Sequence, residues 1–128
     1  MPEIDSELEL ALNYLDHNKD ESLKRLFDIL KIPSISTQEK YSKDCLNAAN
    51  WFVEQLQDIG FDASIRETNG HPMVVAHFEQ EGPHFLFYGH YDVQPIDPIE
   101  LWDHDPFEPK IEKSHNGEII KARGASDD

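Results

Sequence analysis

Residues 84–95 read His84-Phe85-Leu86-Phe87-Tyr88-Gly89-His90-Tyr91-Asp92-Val93-Gln94-Pro95. The first part, Phe85 to Tyr88, is an unbroken apolar run of strand-forming residues, the pattern of a strand buried on both faces of a sheet. Gly89 breaks the run, and His90, Tyr91 and Asp92 follow where that strand would end. In open α/β sheets, ligand sites form outside the carboxyl ends of strands. Residues i and i+2 of an extended chain share a face, so His90 and Asp92 are expected side by side. A carboxylate beside a histidine holds one ring nitrogen and leaves the other free for a metal.

Working outward from this strand, the flanking sequence alternates between helical and extended periodicity. Ile4, Leu8, Ala11 and Leu15 recur at helical spacing. Asn18 to Glu21 has the form of a capping box, and Leu23, Leu26, Phe27 and Leu30 make a second stripe that Pro33 ends. One kinked helix or two helices are expected over about 4–31, followed by a loop at Pro33–Thr37. A further helix is expected over about 42–59, with Cys45, Ala49, Phe52, Val53, Leu56 and Ile59 facing a core and Gly60 at the C′ position. Strands are expected at about 61–67, 73–78 and 84–89, with Asn69-Gly70 as a turn signal between the first two. The fold class this predicts is α/β, a mixed sheet flanked by helices.

Composition narrows the function. The 128 residues carry 26 acids against 11 bases, a formal net charge of −15, with 38% hydrophobic and 29% charged residues. Such a chain suits a globular domain and disfavours nucleic acid or an anionic membrane surface as partner. Cys45 is the single cysteine, so no internal disulfide is available. It falls on an apolar helical stripe and reads as a small core residue. The N-terminal stretch has neither a basic n-region nor an apolar h-region, and no segment approaches transmembrane length. The cytoplasm is the expected compartment.

Two further groups of residues draw notice. Asp127 and Asp128 follow a Gly-Ala-Ser turn, and together with His90 they make an oxygen and nitrogen donor set suited to zinc, manganese or cobalt. A solvated acidic turn is the alternative. The loop Trp102–Pro109 combines aromatics, acids and prolines; it reads as structural, with Trp102 and Phe107 packing over the sheet edge and His104 a weaker ligand candidate. P-loop, dinucleotide and nucleophile-elbow motifs are absent from the sequence.

Three linked motifs carry a resemblance: GHYDVQP at 89–95, W-x-x-D-P-F at 102–107 and RGASDD at 123–128. With PSIS at 33–36 and L-x-x-I-G-F at 56–61, the chain resembles the zinc-dependent dipeptidase, carnosinase and aminoacylase family, to which acetylornithine deacetylase and succinyl-diaminopimelate desuccinylase are related. The YDVQP and SDD spellings lean towards dipeptidases. One local departure is Lys121-Ala122-Arg123-Gly124, where the family usually has Tyr-Gly-Arg-Gly.

The resemblance implies the N-terminal portion of a catalytic domain binding two divalent metal ions, most readily zinc, with manganese or cobalt as alternatives. His90 would be a ligand to one ion. Asp127 would bridge both, with a cis peptide to Asp128, and Asp92 would be the catalytic-site residue holding the other nitrogen of His90. The parent enzyme would hydrolyse amide bonds in dipeptides or N-acyl amino acids. Its glutamate base, remaining ligands and lid domain, through which the parent can form a homodimer, would lie outside residues 1–128. On this expectation the 128 residues alone are inactive. The reading kept open beside it is a non-catalytic truncated product that serves as an inert or interaction domain.

Overall fold

A computed structural model describes residues 2–127, with side chains described from Ser6 onward. The helical N-terminal third is two helices, α1 (Pro2–His17) and α2 (Lys19–Leu30), broken at Asn18. Asn18 does not cap α2 through its side chain. Its Nδ2 instead donates to the Tyr14 carbonyl of α1 at 2.8 Å, so the capping-box expectation is corrected: the amide closes the helix behind it. The expected stripe on α1 also fails to become core. Leu8 and Leu15 are more than half exposed, Ala11 is exposed as well, and Ile4 lies outside the described side chains.

α3 (Ser42–Asp58) carries the best-packed face of the molecule. Cys45, Ala48 and Ala49 are fully buried, and their small side chains let the helix lie close to β1 (Asp62–Arg66) and β2 (Met73–His77). Burial pushes the Cys45 thiol pKa up, which suits the expected role of a small core residue. The helix ends at Gly60 with φ +95°. The Gly60 amide donates to Gln57 at 2.9 Å and the Phe61 amide to Leu56 at 3.0 Å. This is the paired-bond stop in which the glycine takes the left-handed conformation that a Cβ disfavours. It turns Phe61 onto Phe78, with ring centroids 5.1 Å apart.

The strands form two separate two-stranded antiparallel sheets. β1 pairs with β2 in the register Asp62 to His77 and Arg66 to Met73. β3 (Lys110–Ser114) pairs with β4 (Gly117–Lys121) across a tight His115-Asn116 turn. A parallel bridge joins Ile35 to Val93, so both strand orientations occur in this α/β chain. The central strand expected over 84–89 is absent. Phe85, Leu86, Phe87 and Tyr88 are 79% to 97% exposed, and no ladder includes them. A buried strand needs neighbours on both edges to take its N–H and C=O groups, and among the described residues none lies alongside. Among the described residues, no helix is long and apolar enough to cross a membrane.

Replacing Gly60 by alanine places a Cβ in a left-handed conformation, 3.4 Å from Phe78 Cε2. Urea unfolding is expected to show a loss of about 1 kcal/mol or more.

Candidate metal centre

The 33–37 loop is what places His90 and Asp92. Ser34 is 2% exposed and Ile35 1% exposed, so this segment is threaded through the interior although it belongs to no extended ladder. Ser34 Oγ donates to the Tyr91 carbonyl at 2.7 Å, and its carbonyl accepts the Val93 amide at 3.0 Å. Ser36 Oγ donates to Asp92 Oδ2 at 2.6 Å. Residues 91–93 are therefore gripped on backbone and side chain together. Ser36 is the site residue that sequence reasoning did not single out, and its signal was the serine spacing within PSIS.

His90 lies between two carboxylates. Its Nδ1 faces Asp92, 3.0 Å from the carbonyl oxygen and 3.2 Å from Oδ1. Its Nε2 faces Asp127 Oδ1 at 3.1 Å. With Ser36 on one Asp92 oxygen and the imidazole on the other, the carboxylate has a fixed orientation. Asp127 comes from the other end of the chain, on a turn pressed against Val93: a Cβ built on Gly124 would sit 2.8 Å from Val93 Cγ1. The structure thus brings His90, Asp92 and Asp127 together. Asp128, and with it the expected cis peptide, lies outside the described residues.

The electrostatics follow from this geometry. Both ring nitrogens face oxygen, so both are best served by carrying protons. The Asp127 carboxylate, followed by the Asp92 carbonyl, holds the His90 pKa above its ordinary value. The Ser36 hydroxyl, followed by His90, holds the Asp92 carboxyl below its ordinary value, against the opposing effect of burial. The side chains of His90 and Asp127 are 42% and 78% exposed, so solvent screens these pairs and their contribution to stability is small.

The donor set fits a divalent metal. The Nε2 proton lies between an imidazole nitrogen and a carboxylate oxygen, two donors that cations of the zinc type accept, and Asp92 keeps the proton on the remote nitrogen. A cleft of about 360 Å³ opens beside it, lined in part by Leu30, Tyr91, Arg123 and Ser126. That volume is enough for a small ligand.

A second histidine–carboxylate group stands elsewhere. Ligand-type atoms of Asp103, His104 and Glu112 lie within 4.8 Å of one another. His104 is bound on both nitrogens, to Asp103 Oδ1 at 2.6 Å and to the Lys121 carbonyl at 3.3 Å. Lys121 Nζ bridges Asp103 and Glu112 at 3.2 and 2.9 Å.

Known proteins resemble this chain over most of its length. The chain is 29% identical over 136 residues to the Cys-Gly metallodipeptidase DUG1 of Candida albicans, covering 94% of this chain. It is 30% identical over 129 residues to the Saccharomyces cerevisiae enzyme of that name, covering 89%. A succinyl-diaminopimelate desuccinylase of Bordetella avium is 34% identical over 100 residues, 78% of this chain. The solved structure of the dipeptidase Dug1p from Saccharomyces cerevisiae superposes with a TM-score of 0.74 at 30% identity over 89% of the chain.

The chain is homologous to these metallodipeptidases and desuccinylases. It matches the family's N-terminal portion and spans 28%, 26% and 24% of the length of the three relatives. No family model matches it. The relatives are named as metallodipeptidases and a desuccinylase.

Two titrations test the site. Replacing Asp127 by asparagine removes the leading cause of the raised His90 pKa, and an NMR titration of the ring is expected to move back towards 6.5. Because the folded pKa is the higher one, the stability from this pairing is present below 6.5 and lost as pH rises through the folded value. Replacing Ser36 by alanine is expected to raise the Asp92 carboxyl towards 3.8, read from its carboxyl ¹³C shift. Here the folded pKa is the lower one, so the stability is present above the unfolded value and lost as pH falls through the folded one.

Proposed function

We propose that this chain supplies the His90, Asp92 and Asp127 part of a dinuclear metal centre, in a hydrolase that cleaves the amide bond of a dipeptide or an N-acyl amino acid. The observation that carries the reading is one imidazole set between two carboxylates at 3.1 and 3.2 Å. His90 and Asp127 would hold the divalent ions, zinc first, with manganese and cobalt acceptable to the same donors. Once bound, such ions polarise an amide carbonyl and lower the pKa of water.

The residues themselves do positional work. Asp92 holds the Nδ1 proton, so the lone pair of a neutral His90 is directed from Nε2 towards Asp127. Ser36 keeps Asp92 from turning away. The names of the relatives, a Cys-Gly dipeptidase and a desuccinylase, support a small amide substrate carrying charged groups. The buried lone thiol of Cys45 supports a reducing compartment, the cytoplasm. The family resemblance assigns the general base to a glutamate outside these residues, so His90 and the two aspartates are not asked to move the substrate proton.

Two protein ligands make a weaker site than the three or four of established zinc centres. Calorimetry of these 128 residues with Zn²⁺ is expected to show weak binding that His90→Ala abolishes. No turnover of Cys-Gly by the chain alone is expected. Unaltered Zn²⁺ binding by His90→Ala would overturn the assignment.

A further inference from the structure

The loop from Trp102 to Phe107 has no part in the chemistry above, yet it fastens the segment that carries Asp127. The Arg123 guanidinium lies 5.1 Å from the centroid of the Trp102 ring. The Arg123 amide donates to the carbonyl of Pro106 at 2.8 Å, and Pro106 is fully buried. Earlier in the same segment, His104 meets the Lys121 carbonyl and Asp103 meets the Lys121 ammonium. Trp102 is itself fixed, its Nε1–H donating to the Ile96 carbonyl at 3.1 Å. Residues 121–123 are therefore clasped by residues 102–106 through backbone, ion pair and ring face.

Beyond the clasp the chain turns at Gly124, with φ +81°, and the Ala125 amide closes back on the Ala122 carbonyl at 3.3 Å. Val93 crowds the other side of this turn. Asp127 then reaches His90. Its side chain is 78% exposed, so packing does little to hold it, and an exposed pair otherwise spends side-chain entropy to stay together. The backbone leading to Asp127 has to supply the order.

We propose that Arg123, stacked on Trp102, is a positioning residue for the metal centre: the clasp sets the Asp127 carboxylate against His90 and thereby raises metal affinity. This rests on the metal-site reading above. A guanidinium over an indole is a favourable cation–π contact, and Arg123 joins it to a backbone bond at the same residue, so neither end of the 121–123 segment swings freely.

The test titrates Zn²⁺ alone into the full chain and follows the backbone amide resonances of Tyr91 and Ser126. The proteins are the parent chain, Arg123→Ala, Arg123→Lys, Trp102→Leu and His90→Ala. The Zn²⁺ Kd is expected to rise about 10-fold in Arg123→Ala, the range seen when residues behind metal ligands are lost. Trp102→Leu is expected to do the same, and it stands in if Arg123→Ala fails to fold. Arg123→Lys, whose ammonium still sits over the ring, recovers most of the affinity. In the metal-free chain, amide exchange at Ala125 quickens in Arg123→Ala while the urea midpoint stays near that of the parent. Loss of Zn²⁺ binding in His90→Ala with unchanged binding in Arg123→Ala and Trp102→Leu overturns the clasp and leaves the site standing. Equal weakening in Arg123→Lys and Arg123→Ala also overturns it. Unchanged binding in His90→Ala removes the metal site, and the clasp's role falls with it.

Discussion

The contact between Ile35 and Val93 is the constraint from which the site is built. It is a single parallel bridge, and Ile35 within it is almost completely buried, which is worth about 1.5–3 kcal/mol. The segments it joins are far apart in sequence, so closing the intervening loop carries an entropic cost that grows only slowly with length. The serines on either side make the crossing specific. A buried hydroxyl such as that of Ser34 must find an acceptor, and the Tyr91 carbonyl is the one it finds. Ser36, one step further, finds the Asp92 carboxylate. The same hydrogen-bonding demand that lets a polar loop pass through the interior thus orients the groups that orient His90. Val93 then gives the Gly124 turn a surface to rest on, and Asp127 arrives from the far end of the chain.

Legibility in the sequence followed the locality of each interaction. α3, its glycine stop and the β1–β2 pair could be read because periodicity, a C′ glycine and alternation are encoded within a few residues of where they act. The run 85–88 misled because its composition reports only what a segment would bury, while its exposure of 79% or more reports which neighbours it has. The stripe on α1 failed for the same reason. β3 and β4 have a local signal as well, since Asn116-Gly117 marks a hairpin, but the charged residues running through Lys110–Ser114 give that strand no apolar face to read. At the site, His90 and Asp92 could be read from their spacing along one extended stretch. Asp127 could be grouped with His90 by donor type and by the family resemblance, but the Val93–Gly124 contact that brings the two together is written in neither stretch. Ser36 was hidden most deeply. A hydroxyl in a loop has many possible partners, and only the threading of that loop through the core selects Asp92.

Two histidine–carboxylate groups stand among the described residues, and the identity of the central cation separates them. Between Asp103 and Glu112 sits the ammonium of Lys121, whose pKa is raised first by Glu112 and then by Asp103. That ammonium keeps its proton throughout the physiological range, and the paired carboxylates hold it more firmly still. A metal entering there would have to displace a cation that already pairs with both acids, and it would find His104 engaged on both nitrogens with a side chain only 3% exposed. Between Asp92 and Asp127 the central group is an imidazole. Its charge is borne by one titratable proton, and the nitrogen towards Asp127 is a ligand once that proton has gone. The carboxylates that raise its pKa favour any cation at that point, metal ion and proton alike. Competition between the two is therefore built into the His90 group, whereas the Asp103–Glu112 group is closed to it by a permanent ammonium. The same donor types within similar distances serve to brace the clasp in one place and to present a ligand in the other.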